Sequence, residues 1–199
     1  MTPTDPAAGP SRRVHAAGSA REVDIAPELE ALAALAPTHY RESFRVALTP
    51  VASSSRIPTT GSAGPGAAGR PLPPAGSPPP RTAEQWARVV LEGAPWPARA
   101  QMLTAWILLG IPLAPPWSRS QVLGWRILRN TPAAIVLESR AAAGVTARLV
   151  FHATETHLTQ AMLVRYDHRP GRYIWSRLAP KHRSFITVLL SRAADVPTP

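Results

Sequence analysis

The chain of 199 residues contains no cysteine, only one lysine, and few acidic side chains. Without cysteine there is no disulfide framework, no thiolate metal ligand and no thiol nucleophile, and this absence fits a reducing compartment. The first 20 residues also lack the apolar segment of a secretory signal, so we expect a cytoplasmic protein. Against 12 Asp and Glu stand 22 Lys and Arg, which gives a formal net charge of +10.

The sequence motifs of common enzymes are missing as well. There is no Gly-x-Ser-x-Gly nucleophile elbow, no Gly-x-Gly-x-x-Gly following a strand and no Walker sequence. Acidic residues are too sparse in the second part of the chain to favour hydrolysis by two carboxylates. His152, Glu155 and His157 surround one predicted turn, but their spacing matches no established metal site. We therefore predict no metal, no cofactor and no identifiable catalytic residue, and we favour a binding protein over an enzyme.

Proline and glycine are concentrated in one internal segment. Between Val51 and Pro80 the chain has 8 Pro and 5 Gly, and such a segment buries too little apolar surface to offset the entropy of ordering it. We interpret residues 50–80 as a disordered insertion. Residues 1–37 are predicted to form a flexible N-terminal tail with one short helix from Ile25 to Leu35. The remaining residues of 38–196 then form a single domain.

Two helices are predicted directly after the insertion. Thr82 and Gln85 have the spacing of a capping box and predict a helix from Ala83 to Glu92. A second helix is predicted from Pro97 to Leu109. The 16 residues from Met102 to Trp117 carry no charge, but about 20 are needed to span a membrane. We interpret this stretch as a buried helix and its exit loop, with contact at a membrane surface as the alternative.

The strands are predicted by apolar alternation, most clearly in a hairpin near residue 155. The five predicted strands are Phe44–Leu48, Leu123–Arg129, Ala134–Ser139, Val145–Ala153 and Leu158–Tyr166. A helical region follows Asp167, in which Pro180 is expected to introduce a kink or to begin a second helix. The predicted fold class is α+β: an antiparallel sheet with one apolar face, covered by a long C-terminal helix, with two short helices after the first strand.

Several short strings in this chain resemble a family of small, uncharacterised, mostly actinobacterial proteins of the START-like (SRPBCC) superfamily, which has the helix-grip fold. The strings are Tyr40-Arg41-Glu42-Ser43-Phe44-Arg45-Val46, Glu84-Gln85-Trp86-Ala87-Arg88, Gly93-Ala94-Pro95-Trp96, Leu123-Gly124-Trp125 and Leu178-Ala179-Pro180-Lys181-His182-Arg183. The resemblance implies an apolar pocket between the sheet and the terminal helix that holds a hydrophobic or lipid-like small molecule. Larger members have seven strands where five are predicted here.

If such a pocket exists, strand parity and aromatic content predict its lining. The expected lining residues are Trp125, Phe151, Gln160, Met162, Val164, Tyr166, Trp175 and Phe185. Gln160 is the one polar side chain on the inward parity, so we expect it to orient a ligand, or else to reach solvent at a strand end. His182 lies beside the apolar stripe of the last helix, as a structural histidine or, alternatively, as a ligand contact or proton-transfer group.

Arginine supplies the second functional signal. Nearly all the excess positive charge follows the insertion, and four arginines on strands and loops are candidates for an anion-binding surface: Arg148, Arg165, Arg169 and Arg172. Such a surface would associate with an anionic membrane or with nucleic acid. An excess of Arg over Lys is also expected from GC-rich coding, which needs no anionic partner. A third hypothesis is an enzyme of cyclase or aromatase type. Oligomeric state is not predicted.

Overall fold

The computed structural model describes residues 18–48, 80–113, 115 and 118–197. Within them the chain forms one seven-stranded antiparallel sheet and four helices, in the sheet order β1-β2-β7-β6-β5-β4-β3. The strands are β1 (Arg21–Glu22), β2 (Tyr40–Ala47), β3 (Gln121–Val122), β4 (Trp125–Asn130), β5 (Ala134–Ala141), β6 (Val145–Ala153) and β7 (His157–Tyr166). The helices are α1 (Pro27–Ala33), α2 (Ala83–Leu91), α3 (Trp96–Leu108) and α4 (Arg169–Ala194). The predicted α+β class, with an antiparallel sheet and a long C-terminal helix, is confirmed.

The prediction of five strands is wrong, because β1 and β3 were missed. Each has two residues, which is too short to produce a readable alternation of apolar and polar side chains. The strand predicted from Leu123 begins instead at Trp125, because Leu123 and Gly124 form the turn between β3 and β4. Both have positive φ, +46° and +89°, as a tight two-residue hairpin turn requires. Glu92 supports this turn by accepting a hydrogen bond of 3.0 Å from the Leu123 N–H.

Helix α4 runs through Pro180 without interruption. The alternative that Pro180 begins a second helix is therefore wrong. A proline inside a helix removes one backbone hydrogen bond and costs about 3 kcal/mol. Here that cost is offset because apolar side chains on both sides of Pro180 are buried on the same sheet, among them Trp175 before it and Ile186 and Leu190 after it.

The sheet is covered on both faces. The larger apolar cluster lies between α2, α3, α4 and the inner face of the sheet. A second cluster lies on the outer face, where Leu29, Ala33 and Leu35 pack against side chains of β5, β6 and β7. Residues 18–37, which were assigned to the N-terminal tail, thus contribute β1 to the sheet and α1 to its outer face. The insertion predicted at residues 50–80 lies outside the described residues, apart from Pro80.

Helix α3 is the least buried of the three helices on the inner face. Met102 is its one buried residue, whereas Ile107 and Leu108 are 64% and 81% exposed. The prediction that this apolar stretch is buried is therefore wrong for the helix. Among the described residues, no helix combines the length and the apolar character needed to cross a bilayer.

Candidate functional site

A cavity of about 190 Å³ lies between the inner face of the sheet and helices α3 and α4. The floor is formed by small or apolar residues of β5, β6 and β7, and Ala147 and Met162 are examples. One wall is the α3 side chains of Met102, Ala105 and Trp106. The lining is predominantly apolar, as expected of a small-molecule site.

Helix α4 forms the second wall of the cavity and contributes the charged side chain of the lining. Trp175, Phe185 and several aliphatic residues of α4 line the apolar part. Lys181 and His182 line the cavity at the same helix, and Lys181 is exposed to solvent. The cavity therefore combines an apolar interior with a positively charged edge.

His182 is held in place by a buried glutamate. Its Nδ1 lies 2.6 Å from Oε1 of Glu42, whose side chain is fully buried on β2. The two atoms are at ion-pair distance, although they are not aligned as a hydrogen bond and neither has a hydrogen-bond partner among the described residues. The rings of His182 and Trp175 lie 5.6 Å apart, centroid to centroid. Glu42 and Trp175 together fix the imidazole at the boundary of the cavity.

Glu42 has further partners that make its burial tolerable. The Tyr40 hydroxyl donates a hydrogen bond of 2.5 Å to Oε2 of Glu42. Nε of Arg183 lies 3.7 Å from the same oxygen, and Arg183 also pairs with Glu22. Burial raises the pKa of Tyr40 above its ordinary value, and the hydrogen bond to Glu42 and the negative charge of Glu42 add to the shift. Tyr40 therefore remains a neutral donor to Glu42.

A separate groove lies on the other side of Trp175. It is lined by β1, β2, β7 and α4, and includes Tyr40, Phe44, Tyr166 and Arg183. This groove is more open to solvent than the cavity. Trp175 borders both, so its indole divides the apolar cavity from the groove.

Four buried polar atoms belong to residues that line the cavity and lack hydrogen-bond partners within the described parts of the chain. They are the Nε1 atoms of Trp125 and Trp175, the hydroxyl of Ser139 and Nδ1 of His182. A buried polar atom without a partner costs about 1–3 kcal/mol. A bound molecule with a hydrogen-bonding group could recover part of that cost.

The structure brings together four of the eight residues predicted to line a pocket. Trp125, Met162, Trp175 and Phe185 line the cavity. Tyr166 lines the groove together with Trp175.

Phe151, Gln160 and Val164, the other three, are fully buried in the core and line neither the cavity nor the groove. Gln160 lies between Phe44 of β2 and Phe151 of β6 in the sheet register. Its amide nitrogen and oxygen have no hydrogen-bond partner in the described part of the molecule.

The sequence did not lead us to predict that residues of α3, or Lys181, line the cavity. The α3 wall could have been found from the spacing of Met102, Ala105 and Trp106, which puts all three on one side of a helix. The Glu42–His182 contact joins β2 to α4, 140 positions apart along the chain. No local pattern indicates such a pairing.

The four arginines predicted to bind anions fall into two groups. Arg148 is ion-paired with Glu138 at 2.7 Å and donates hydrogen bonds to the backbone carbonyls of Ala33 and Ala34. Arg165 is paired with Asp167 at 2.8 Å; hydrogen bonds to this carboxylate from Thr146 and then from Arg165 lower the pKa of Asp167.

Arg169 and Arg172, at the start of α4, are exposed. Neither has an ion-pair partner among the residues that the structure describes. Within the same residues, no group of three or more His, Asp or Glu side chains is arranged to hold a metal ion.

Fold and cavity define the class of this protein: an α+β domain whose long C-terminal helix covers an apolar cavity on a seven-stranded antiparallel sheet. Comparisons with family models, with curated proteins and with solved structures find no match to the chain.

Proposed function

We propose that this protein binds an apolar small molecule in the cavity between the sheet and α4. The observation that carries the proposal is the cavity itself, because protein interiors are normally packed without voids larger than a water molecule. An apolar cavity of about 190 Å³ exceeds the cavity of roughly 150 Å³ that is sufficient to bind benzene in another protein. A molecule with one or two rings, or a short aliphatic chain, matches this size, and a third ring can extend past the exposed Lys181 at the edge of the cavity. The START-like resemblance of the sequence supports the same class of ligand.

The test uses N-phenyl-1-naphthylamine, a neutral apolar fluorophore. Trp106, Trp125 and Trp175 line the cavity, so a bound fluorophore should accept energy from their indoles and gain emission. The expected result is saturable binding of about one probe molecule per chain.

The substitution Ala105→Phe fills the cavity from the α3 side and should abolish the signal. Ala100→Phe is the matched control, because Ala100 lies on the same helix but does not line the cavity. Probe binding that is equally strong in both variants, or absent from the wild type, would contradict the proposal.

A second candidate function is association with an anionic membrane, and one specific arrangement favours it. The exposed apolar side chains of Ile107 and Leu108 end α3, and the exposed Arg169 and Arg172 begin α4. The turn between β5 and β6 makes backbone hydrogen bonds of 3.1 Å to the segment after α3 and of 2.9 Å to the segment before α4. Apolar and cationic side chains thus come to the same end of the molecule, a combination that suits an anionic lipid surface.

Vesicle co-sedimentation tests this second candidate. Binding to phosphatidylcholine vesicles containing phosphatidylserine should be stronger than binding to phosphatidylcholine alone, and salt should weaken it. Leu108→Ser in α3 should reduce vesicle binding. Val188→Ser is the control: Val188 is also an exposed apolar residue, 65% exposed, but it lies on α4, and its substitution should not reduce vesicle binding. Equal loss in both variants, or binding to DNA without binding to vesicles, would rule out this membrane surface.

A further inference from the structure

We propose that the ligand of the cavity is an amphipathic carboxylate, with an apolar body among the helices and a carboxylate head group held by Lys181 and His182. This inference rests on the proposed function and specifies the ligand class. It rests on the placement of charge around the cavity.

The charge around the cavity has one sign. Among the described residues that line it, Lys181 is the one formally charged side chain, His182 is the other ionisable group, and none is acidic. Lys181 and His182 are consecutive residues of α4 and lie on the same side of the cavity. A cation at the edge of an apolar cavity favours a ligand that carries one negative charge at the corresponding end.

His182 has the surroundings of an oriented binding group. Its Nδ1 faces Glu42 at 2.6 Å, which leaves Nε2 as the ring nitrogen available to a ligand. From Nε2 the imidazole can donate a hydrogen bond to the carboxylate of a ligand. Glu42 itself is fully buried and does not line the cavity, and Arg183 lies 3.7 Å from it. Its negative charge is therefore partly compensated on the side away from the ligand.

The apolar residues in the rest of the lining determine the chemical character of the ligand's body. Met102, Trp106, Leu149 and Phe185 offer apolar surface from α3, the sheet and α4. A second charged group on the ligand would lie among these side chains without a partner, at a large desolvation cost. The ligand class is therefore a monocarboxylic acid with an aryl or short alkyl body.

The experiment compares 4-phenylbutanoate with 4-phenylbutan-1-ol by isothermal titration calorimetry on the full chain. The two ligands have the same apolar body and differ in the head group. We expect the carboxylate to bind more tightly. Lys181→Met should weaken carboxylate binding about two- to fivefold, within the range of a solvent-exposed ion pair, and leave the alcohol unchanged. His182→Gln should also weaken the carboxylate selectively.

Arg177→Met is the matched control. Arg177 is an exposed cation on α4, four residues before Lys181, and does not line the cavity. Arg177→Met removes the same net charge as Lys181→Met, but at a residue outside the cavity lining. It should therefore leave the affinities for both ligands unchanged. Lys181 is itself exposed, so its variant is expected to fold.

Failure of this inference can be distinguished from failure of the proposed function. Equal affinity for carboxylate and alcohol, or equal effects of Lys181→Met and Arg177→Met, would overturn the carboxylate inference and leave the apolar site intact. If neither ligand binds but N-phenyl-1-naphthylamine binds in a manner sensitive to Ala105→Phe, the carboxylate inference fails alone. If that probe does not bind either, both proposals fail.

Discussion

Two buried glutamines in this protein have opposite surroundings. Gln160 is 0% exposed, and neither its amide nitrogen nor its oxygen has a partner in the described part of the chain. Gln121 is 4% exposed, donates a hydrogen bond of 2.8 Å to the carbonyl of Pro115 and accepts one from the N–H of Gly124. The same side chain should therefore destabilise the fold at one position and stabilise it at the other.

Replacing each glutamine by methionine, which has similar length and no amide, tests this contrast. Gln160→Met should raise the free energy of unfolding by about 1–3 kcal/mol, because it removes two buried polar atoms without partners. Gln121→Met should lower it by a similar amount, because Gly124 and Pro115 lose their partners. Urea unfolding measures both. A loss of stability in Gln160→Met would mean that the amide is satisfied by water, and would contradict the account.

Tyr40 links the cluster around Glu42 to alkaline stability. Its pKa is raised by burial and then by the hydrogen bond to, and charge of, Glu42. Between the ordinary pKa of about 10 and the raised value, tyrosine loses its proton in the unfolded chain but keeps it in the folded one. The free energy of unfolding therefore decreases as the pH rises above about 10.

Tyr40→Phe should make this alkaline decrease shallower, while lowering stability at pH 8 because Glu42 loses a donor. The raised pKa of Tyr166, which is caused by burial, leaves part of the decrease in place. Tyr173→Phe is the control, because Tyr173 is 62% exposed. Thermal unfolding from pH 8 to pH 11 gives the slopes. A slope for Tyr40→Phe equal to that of the wild type would contradict the assignment.

Helices α2 and α3 differ in how firmly they are held. In α2, five of nine residues are buried, and Thr82 and Gln85 form the predicted capping box. The guanidinium of Arg88 bonds to Glu84, to Glu92 and to the carbonyl of Gln121 on β3; the hydrogen bonds from Arg88 lower the pKa of Glu84. In α3, a single residue of thirteen is buried.

Hydrogen exchange should detect this difference between the two helices. Amides of α3 are expected to exchange at least tenfold faster than those of α2, because local opening of α3 exposes little apolar surface. Adding N-phenyl-1-naphthylamine should slow exchange in α3 and leave α2, which contributes Leu91 to the lining, nearly unchanged. Equal protection of α2 and α3 without the probe would show that α3 is not a loosely held wall of the cavity.

Elements with strong local signals were predictable from the sequence, and long-range pairings were not. Strand β6 has the predicted bounds Val145–Ala153 because its inward residues alternate without exception. The capping box predicted the start of α2 for a similarly local reason. The turn at Leu123–Gly124 was missed because a leucine with positive φ is rare. The positions of Glu42, His182 and the α3 wall depend on packing between distant segments, which periodicity does not encode.

In the whole molecule, the sheet is the middle layer, and helices cover both of its faces. The inner face holds the cavity and the larger core. The outer face carries Val136, Val150 and Leu163, which would be exposed without α1. Arg148 strengthens the attachment of α1, because it bonds to Glu138 and to the carbonyls at the end of that helix. Arg148 is thus engaged within the fold rather than at a surface for anions.

Removing residues 18–37 should therefore destabilise the domain strongly. Two chains are compared, one beginning at residue 18 and the other at residue 38, so that the difference isolates β1 and α1. The shorter chain should lose more than about 3 kcal/mol of unfolding free energy, because Leu29 and Leu35 each contribute roughly 1.5–3 kcal/mol when buried. It should also self-associate through the uncovered outer face. Urea unfolding and light scattering measure these two effects.

Point variants keep the comparison usable if the shorter chain does not fold. In the full chain, Leu29→Ala should cost about 2–5 kcal/mol, the range for a buried leucine, since Leu29 is 5% exposed on the sheet side of α1. Glu28→Ala, at the neighbouring exposed residue of the same helix, should change stability by less than about 0.5 kcal/mol. The cavity on the opposite face should still bind N-phenyl-1-naphthylamine in Leu29→Ala, because the seven-stranded sheet lies between the cavity and α1. Equal stability of Leu29→Ala and Glu28→Ala would mean that α1 does not cover the outer face.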